Sequence, residues 1–139
     1  MTTLQFTVLG PPVPKGRPRS RLVKNKGSGP DFISVYTPDK TAHYENCVRD
    51  EAAKLGSYFG PLIPLLVVMT FYVERPKSLP RKIKSPVKKP DIENYMKSVL
   101  DALEGIIYYN DAQVVRVVAD KFYGSPPRTE IEVRDIEVG

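Results

Sequence analysis

The stretch PDIENYMKSVLDALEG, residues 90–105, decides the fold. Ile92, Tyr95, Met96, Val99, Leu100 and Leu103 recur at spacings of three and four, so on a wheel of about 100° per residue they share one arc. Glu93, Asn94, Lys97, Asp101 and Glu104 take the other side. Pro90 before the run and Gly105 after it bound a helix over 91–104. One face is core, and the other is dense in ionisable groups.

Strands flank this helix. Leu65–Glu74 is rich in Val, Leu, Phe and Tyr and reads as a central strand. Val114–Tyr123 reads as another, Gly124-Ser125-Pro126-Pro127 turns it, and Thr129–Asp135 alternates as a closing strand. Toward the N-terminus, Leu4, Phe6 and Val8 alternate with polar residues until the prolines at 11, 12 and 14 end the ladder. Residues 15–30 contain Gly16, Gly27 and Gly29 and form a loop or ragged hairpin, with Phe32–Tyr36 as a short returning strand. Thr37 as N-cap and Pro38 as first helical residue open another helix. Tyr44, Cys47, Val48, Ala52 and Leu55 line one side of it, and Gly56 closes it. The order β, (β), α, β, α, β, β predicts an α+β fold. It is a single domain over residues 1–139, with a mixed sheet of four to five strands and two helices packed against it.

Composition agrees. A chain of 139 residues with 41% hydrophobic residues and 13 tyrosines and phenylalanines suffices for one core. The longest nearly apolar stretch, Leu62–Met69, is interrupted by Pro64, whereas a membrane helix needs about 20 apolar residues. Met1–Pro11 has no basic region of the kind that opens a secretory signal. One cysteine, Cys47, and one histidine, His43, exclude an internal disulfide and a Cys/His zinc cluster. A cytoplasmic protein is expected.

Charge is segregated. Lys15, Arg17, Arg19, Arg21, Lys24 and Lys26 form one acid-free block, and Arg75, Lys77, Arg81, Lys82, Lys84, Lys88 and Lys89 form a second. These 13 of the 21 cations leave 8 to face 16 acids elsewhere, so the net charge of +5 hides an acidic body with two basic loops, at 15–30 and 75–90. Such blocks suit a polyanion surface.

Asp91 and Glu93 open the helix directly after the second basic block, and Asp111 precedes the next strand. If helix start and loop meet in one concave site, three hard oxygen ligands suit Mg²⁺ or Mn²⁺. Such an ion activates water for attack on a phosphodiester. Lys97, on the same polar face as Glu93, is placed to bind a phosphate oxygen or stabilise the transition state. Plain structural roles account for the same residues: acids favour a helix N-terminus, Lys97 and Asp101 make an i,i+4 pair, and Asn110-Asp111 is turn chemistry.

The run Lys89-Pro90-Asp91-Ile92-Glu93-Asn94-Tyr95-Met96-Lys97, then Asp101-Ala102-Leu103, then Asn110-Asp111-Ala112-Gln113-Val114 resembles the signature of RusA-type Holliday-junction resolvases. Pro14-Lys15-Gly16-Arg17-Pro18-Arg19, Tyr36-Thr37-Pro38 and Tyr44-Glu45 resemble the phage and prophage branch of that family. The resemblance implies a homodimeric, Mg²⁺-dependent endodeoxyribonuclease, with Mn²⁺ as the alternative ion, that nicks opposing strands of four-way junctions. It implies Asp91, Glu93 and Asp111 as metal ligands, Lys97 as the catalytic lysine, and Asp101 and Asn110 as supporting positions. Asn94 and Gln113 match signature positions read as structural. Glu93 stands where the signature has Asp, and Asn110 replaces the first acid of an Asp-Asp pair.

Given this chemistry, Lys15, Arg17 and Arg19, with Arg81, Lys82, Lys84, Lys88 and Lys89, are the expected DNA contacts. Symmetric nicks call for a two-fold dimer, and Leu62–Tyr72 and the first helix are the apolar candidates for its interface. Two alternatives stay open: a weakened nucleic-acid-binding protein on the same fold, and a nuclease of broader taste for branched DNA.

Overall fold

The computed structural model describes residues 2–27 and 29–136. In chain order its elements are β1 (Thr3–Leu9), β2 (Arg19–Val23), β3 (Phe32–Tyr36), α1 (Asp39–Ala53), β4 (Leu65–Val73), α2 (Ile92–Leu103), a 3-10 turn (Asp111–Gln113), β5 (Val114–Tyr123) and β6 (Arg128–Asp135). β1, β6, β4 and β5 lie side by side in that order, and β2 pairs with β3 in a separate ribbon. The sheet is mixed, because β4 runs antiparallel to β6 and parallel to β5. A parallel neighbour requires a crossover, and α2 supplies it.

Both helices cover one face of the sheet. The alternating residues Leu65, Val67, Met69 and Phe71 of β4 are fully buried there, under Tyr44, Val48 and Ala52 of α1 and Tyr95, Val99 and Leu103 of α2. Phe71 and Tyr95 stack with centroids 5.2 Å apart. Each such side chain contributes about 1.5–3 kcal/mol by leaving water. The opposite face carries Val68, Thr70 and Tyr72 of β4, all only half-buried.

The expected hairpin forms: Arg19–Val23 pairs in register with Phe32–Tyr36, Leu22 opposite Ile33. This ribbon stands apart from the main sheet, which is mixed and four-stranded, within the expected four to five strands. Two details differ. The N-cap of α1 is Pro38 rather than Thr37, since Pro38 is extended (ψ 143°) and Asp39 is the first helical residue. The second basic loop, 75–90, is irregular as its prolines dictate, but it is pinned. The Arg75 guanidinium donates to the carbonyls of Ile83 and Pro80 and lies 5.5 Å from the Tyr123 ring centroid.

Between the helices runs the segment that carries Lys15. Ser98 Oγ donates to the Val13 carbonyl (2.9 Å), the Lys15 amide to the Asn94 carbonyl (2.8 Å), and Thr41 Oγ1 to the Pro14 carbonyl (3.0 Å). Gly16 is required for this approach, because a Cβ there would lie 2.8 Å from Pro38 Cγ.

Candidate active site

At the N-terminal end of α2, Asp91 is the N-cap residue, yet its carboxylate makes no capping hydrogen bond and stays exposed. Glu93 in the first turn and Lys97 one turn later are exposed on the same side. The chain reaches Asp91 along a fixed path. Lys121 Nζ, from the helix-facing side of β5, donates to the carbonyls of Lys88 (3.0 Å) and Pro90 (2.9 Å). Glu74, Lys88, Lys89, Tyr95, Lys121 and Tyr123 line a cleft of about 400 Å³ here. Sequence reasoning missed Lys121. Its signal was a lysine in phase with Val117 and Ala119, on the buried side of an alternating strand.

Asp111 lies at the other end of α2. Its amide donates to Oε1 of Glu104, the C-cap residue, at 3.1 Å. Asn110 caps the 3-10 turn, its Oδ1 accepting from the Ala112 amide at 2.8 Å. Gln113 Oε1 accepts from the amides of Tyr109 and Asn110, and its Nε2 donates to the carbonyls of Gly60 and Ile63. Both polar ends of this buried amide are thereby satisfied. Asp and Asn cap equally well, so Asn110 keeps the turn that an acid would make.

The expectation that Asp91, Glu93 and Asp111 converge within one chain therefore meets a geometric obstacle. A helix of 12 residues spans about 18 Å, and the two groups sit beyond its opposite ends. Among the described residues no three His, Cys, Asp or Glu side chains stand close enough together to hold a metal ion. A helix start approaches the loop before it, whereas the loop after it belongs to the far end.

Asp101 reaches Lys15 rather than Lys97: Lys15 Nζ lies 3.0 Å from Asp101 Oδ2 and 3.1 Å from Glu45 Oε2. Glu45 is almost fully buried. Burial opposes the Lys15 charge, but the two carboxylates prevail and hold its pKa above the ordinary lysine value. Lys15 thus bridges α1 and α2 internally, and the outward cations begin at Arg17. Near the far end of α2, burial pushes the Tyr108 hydroxyl up, with the charges of Asp111, Glu104 and Asp101 adding to it.

Arg17, Arg19, Arg81, Lys82, Lys84, Lys88 and Lys89 are exposed and form no ion pair among the described residues. On the β2–β3 ribbon Arg21 lies 5.4 Å from the Tyr36 ring centroid, which adds an aromatic surface to the basic one. No described helix is long and apolar enough to cross a membrane.

Comparison with known proteins supplies the class. The family model for endodeoxyribonuclease RusA matches residues 10–134, from just after β1 through nearly all of β6. The chain belongs to the RusA endodeoxyribonuclease family. It is also similar to a Bacillus subtilis (strain 168) protein named Uncharacterized protein YqaN. The two are 32% identical over 146 residues, covering 98% of this chain and 99% of that protein.

Proposed function

We propose that this protein is a divalent-metal-dependent endodeoxyribonuclease that resolves four-way DNA junctions. In this proposal it acts as a two-fold dimer, each site drawing Asp91, Glu93 and Lys97 from one chain and Asp111 from the other. The observation that carries the reading is the family match to an endodeoxyribonuclease, joined to the splitting of its carboxylates between the two ends of α2. One chain does not fit a metal on three carboxylates, and two chains related by a two-fold axis supply both halves twice.

Asp91, Glu93 and Asp111 offer hard oxygen donors suited to Mg²⁺ or Mn²⁺, which when bound provides a polarised water and offsets phosphodiester charge. Lys97 presents its ammonium to a phosphate oxygen beside that water. Lys15, held by Glu45 and Asp101, positions the segment from which Arg17 and Arg19 project. Those arginines and Arg81, Lys82, Lys84, Lys88 and Lys89 grip the backbones of the converging arms. A weakened binding protein is disfavoured by the capping role of Asn110, since the turn carrying Asp111 loses nothing by the exchange.

The test uses a labelled immobile junction beside the matching linear duplex, in Mg²⁺ or Mn²⁺, with an Asp91→Asn control. Paired symmetric nicks in the junction alone, absent in the variant, are expected. Junction binding without cleavage in either metal overturns the proposal, and equal cleavage of forks or flaps assigns the broader nuclease.

A further inference from the structure

Tyr58 and Tyr109 form an aromatic pair that serves neither the core nor the chemistry proposed above. Their ring centroids lie 5.0 Å apart with the planes at 54°, and the two residues are 50% and 54% exposed. They line a groove of about 500 Å³ between the end of α1 and the turn after α2, together with Ala52, Gly56, Gly105 and Ile106. Every residue lining this groove is uncharged. A phosphate finds no cation there, whereas a flat, uncharged ring finds apolar and aromatic surface.

The pair is held from both sides. The Phe59 amide donates to the Ile107 carbonyl at 2.8 Å, which ties the residue after Tyr58 to the residue two before Tyr109. Phe59, Ile107 and Tyr108 are buried and anchor both segments. The Tyr109 amide donates to Gln113 Oε1 at 3.0 Å, and the same oxygen accepts from the Asn110 amide at 3.1 Å. Gln113 therefore holds Tyr109 and the Asp111 turn as one unit. Two residues of chain reach at most about 7 Å, so a strand brought to Asp111 is brought to Tyr109 as well.

We infer that the Tyr58–Tyr109 pair is a stacking platform for one unpaired nucleobase of the junction strand whose phosphate sits at Asp111. This rests on the junction nuclease proposed above and adds a base-binding subsite to it. Stacking is interrupted at a branch point, so a base leaves its neighbours there at less cost than inside a duplex. Every base has a π-face, so an aromatic platform takes an unstacked base whatever its identity. Because the rings are already in place, little ordering opposes the contact. A linear duplex offers no such base, and the pair thereby favours branched DNA.

Abasic substitution tests the contact, read as junction binding in an Asp91→Asn background so that the DNA stays whole. Tyr109→Ala weakens binding of the intact junction about five- to a hundredfold, the usual loss for one stacked base. Tyr109→Phe keeps the ring and retains most of the affinity. Junctions lacking a single base, moved nucleotide by nucleotide around the branch point, then identify the partner. At one position the background protein loses the same factor and Tyr109→Ala loses nothing further, since both deletions remove one contact. Tyr58→Ala shows the same coupling at the same position, which guards against a misfolded Tyr109 variant. If Tyr109→Ala costs as much on every abasic junction as on the intact one, or Tyr109→Phe is as weak as Tyr109→Ala, the platform is overturned. A Tyr109→Ala protein whose free form sediments as a smaller species overturns it too and assigns the groove to a second copy. Nicking by protein without the Asp91→Asn change reads the nuclease proposal separately, and a protein that binds no junction overturns both.

Discussion

Asp91 and Asp111 stand beyond opposite ends of α2, separated by a helix about 18 Å long. The first is held from β5 by Lys121 through the Pro90 carbonyl, and the second from the helix C-terminus by Glu104. Both carboxylates are exposed and carry no internal structural duty that a neutral amide would forfeit.

Asp91→Asn and Asp111→Asn should therefore separate stability from activity. Surface changes away from special features stay within about 0.5 kcal/mol, so melting temperatures should barely move. Junction nicking should fall at least about a hundredfold, the loss of several kcal/mol that a misplaced metal implies. Thermal melts and single-turnover nicking on the same preparations check both halves.

The bridge from Lys15 to Glu45 and Asp101 gives a pH signature. Lys15 has its pKa raised above the ordinary lysine value of 10.5, so its stabilisation is complete below that pH. It is lost as pH rises through the higher folded value. Glu45→Gln should cost about 1–3 kcal/mol at neutral pH by leaving a charge without its buried partner. The gap from wild type should narrow above pH 10.5. Urea titrations at neutral and alkaline pH measure it.

Gly16→Ala should destabilise by about 1–3 kcal/mol, the usual cost of overpacking against a stiff neighbour. The stiff neighbour is the Pro38 ring, 2.8 Å from the added Cβ. The same change should weaken junction binding by displacing Arg17 and Arg19. Melting temperature and a binding titration with the Asp91→Asn background test it.

Replacing Arg81, Lys82 and Lys84 together by glutamine should lower the salt dependence of junction binding, the log–log slope dropping by about 0.9 for each phosphate no longer neutralised. Stability should hold, because these side chains are exposed and unpaired among the described residues. Arg75→Gln should behave differently and loosen the loop, since the Arg75 guanidinium holds the carbonyls of Pro80 and Ile83. Binding at a series of salt concentrations separates the two.

Periodicity made the frame readable. The 3.6-residue repeat of α2 and the apolar runs of β4 and β5 fall where the burial requires them, and Val114–Tyr123 matches β5 residue for residue. The bounds of β2, the outgoing arm of the expected hairpin, were hidden because Arg19, Ser20 and Arg21 carry no apolar signal, and only cross-strand pairing of Leu22 with Ile33 fixes them. The candidate site residues stood out in the sequence as two acids and a lysine in or beside α2 and a third acid in the turn after it. Their distribution did not, since spacing along the chain is silent about which end of α2 the Asp111 turn packs against. Lys121 was passed over, and Glu45 was quoted with the family pattern but given no role, for a similar reason: each acts by gripping a backbone or a cation far away in sequence, Lys121 on Pro90 and Glu45 on Lys15.

The most direct measurement mixes Asp91→Asn and Asp111→Asn protein, each inert alone, and assays the junction. If each site is shared between chains, every heterodimer holds one intact site, and random exchange restores nicking to roughly a quarter of the wild-type level. Nicking that stays at the level of the separate variants, in a mixture shown to have exchanged subunits, would contradict the shared site.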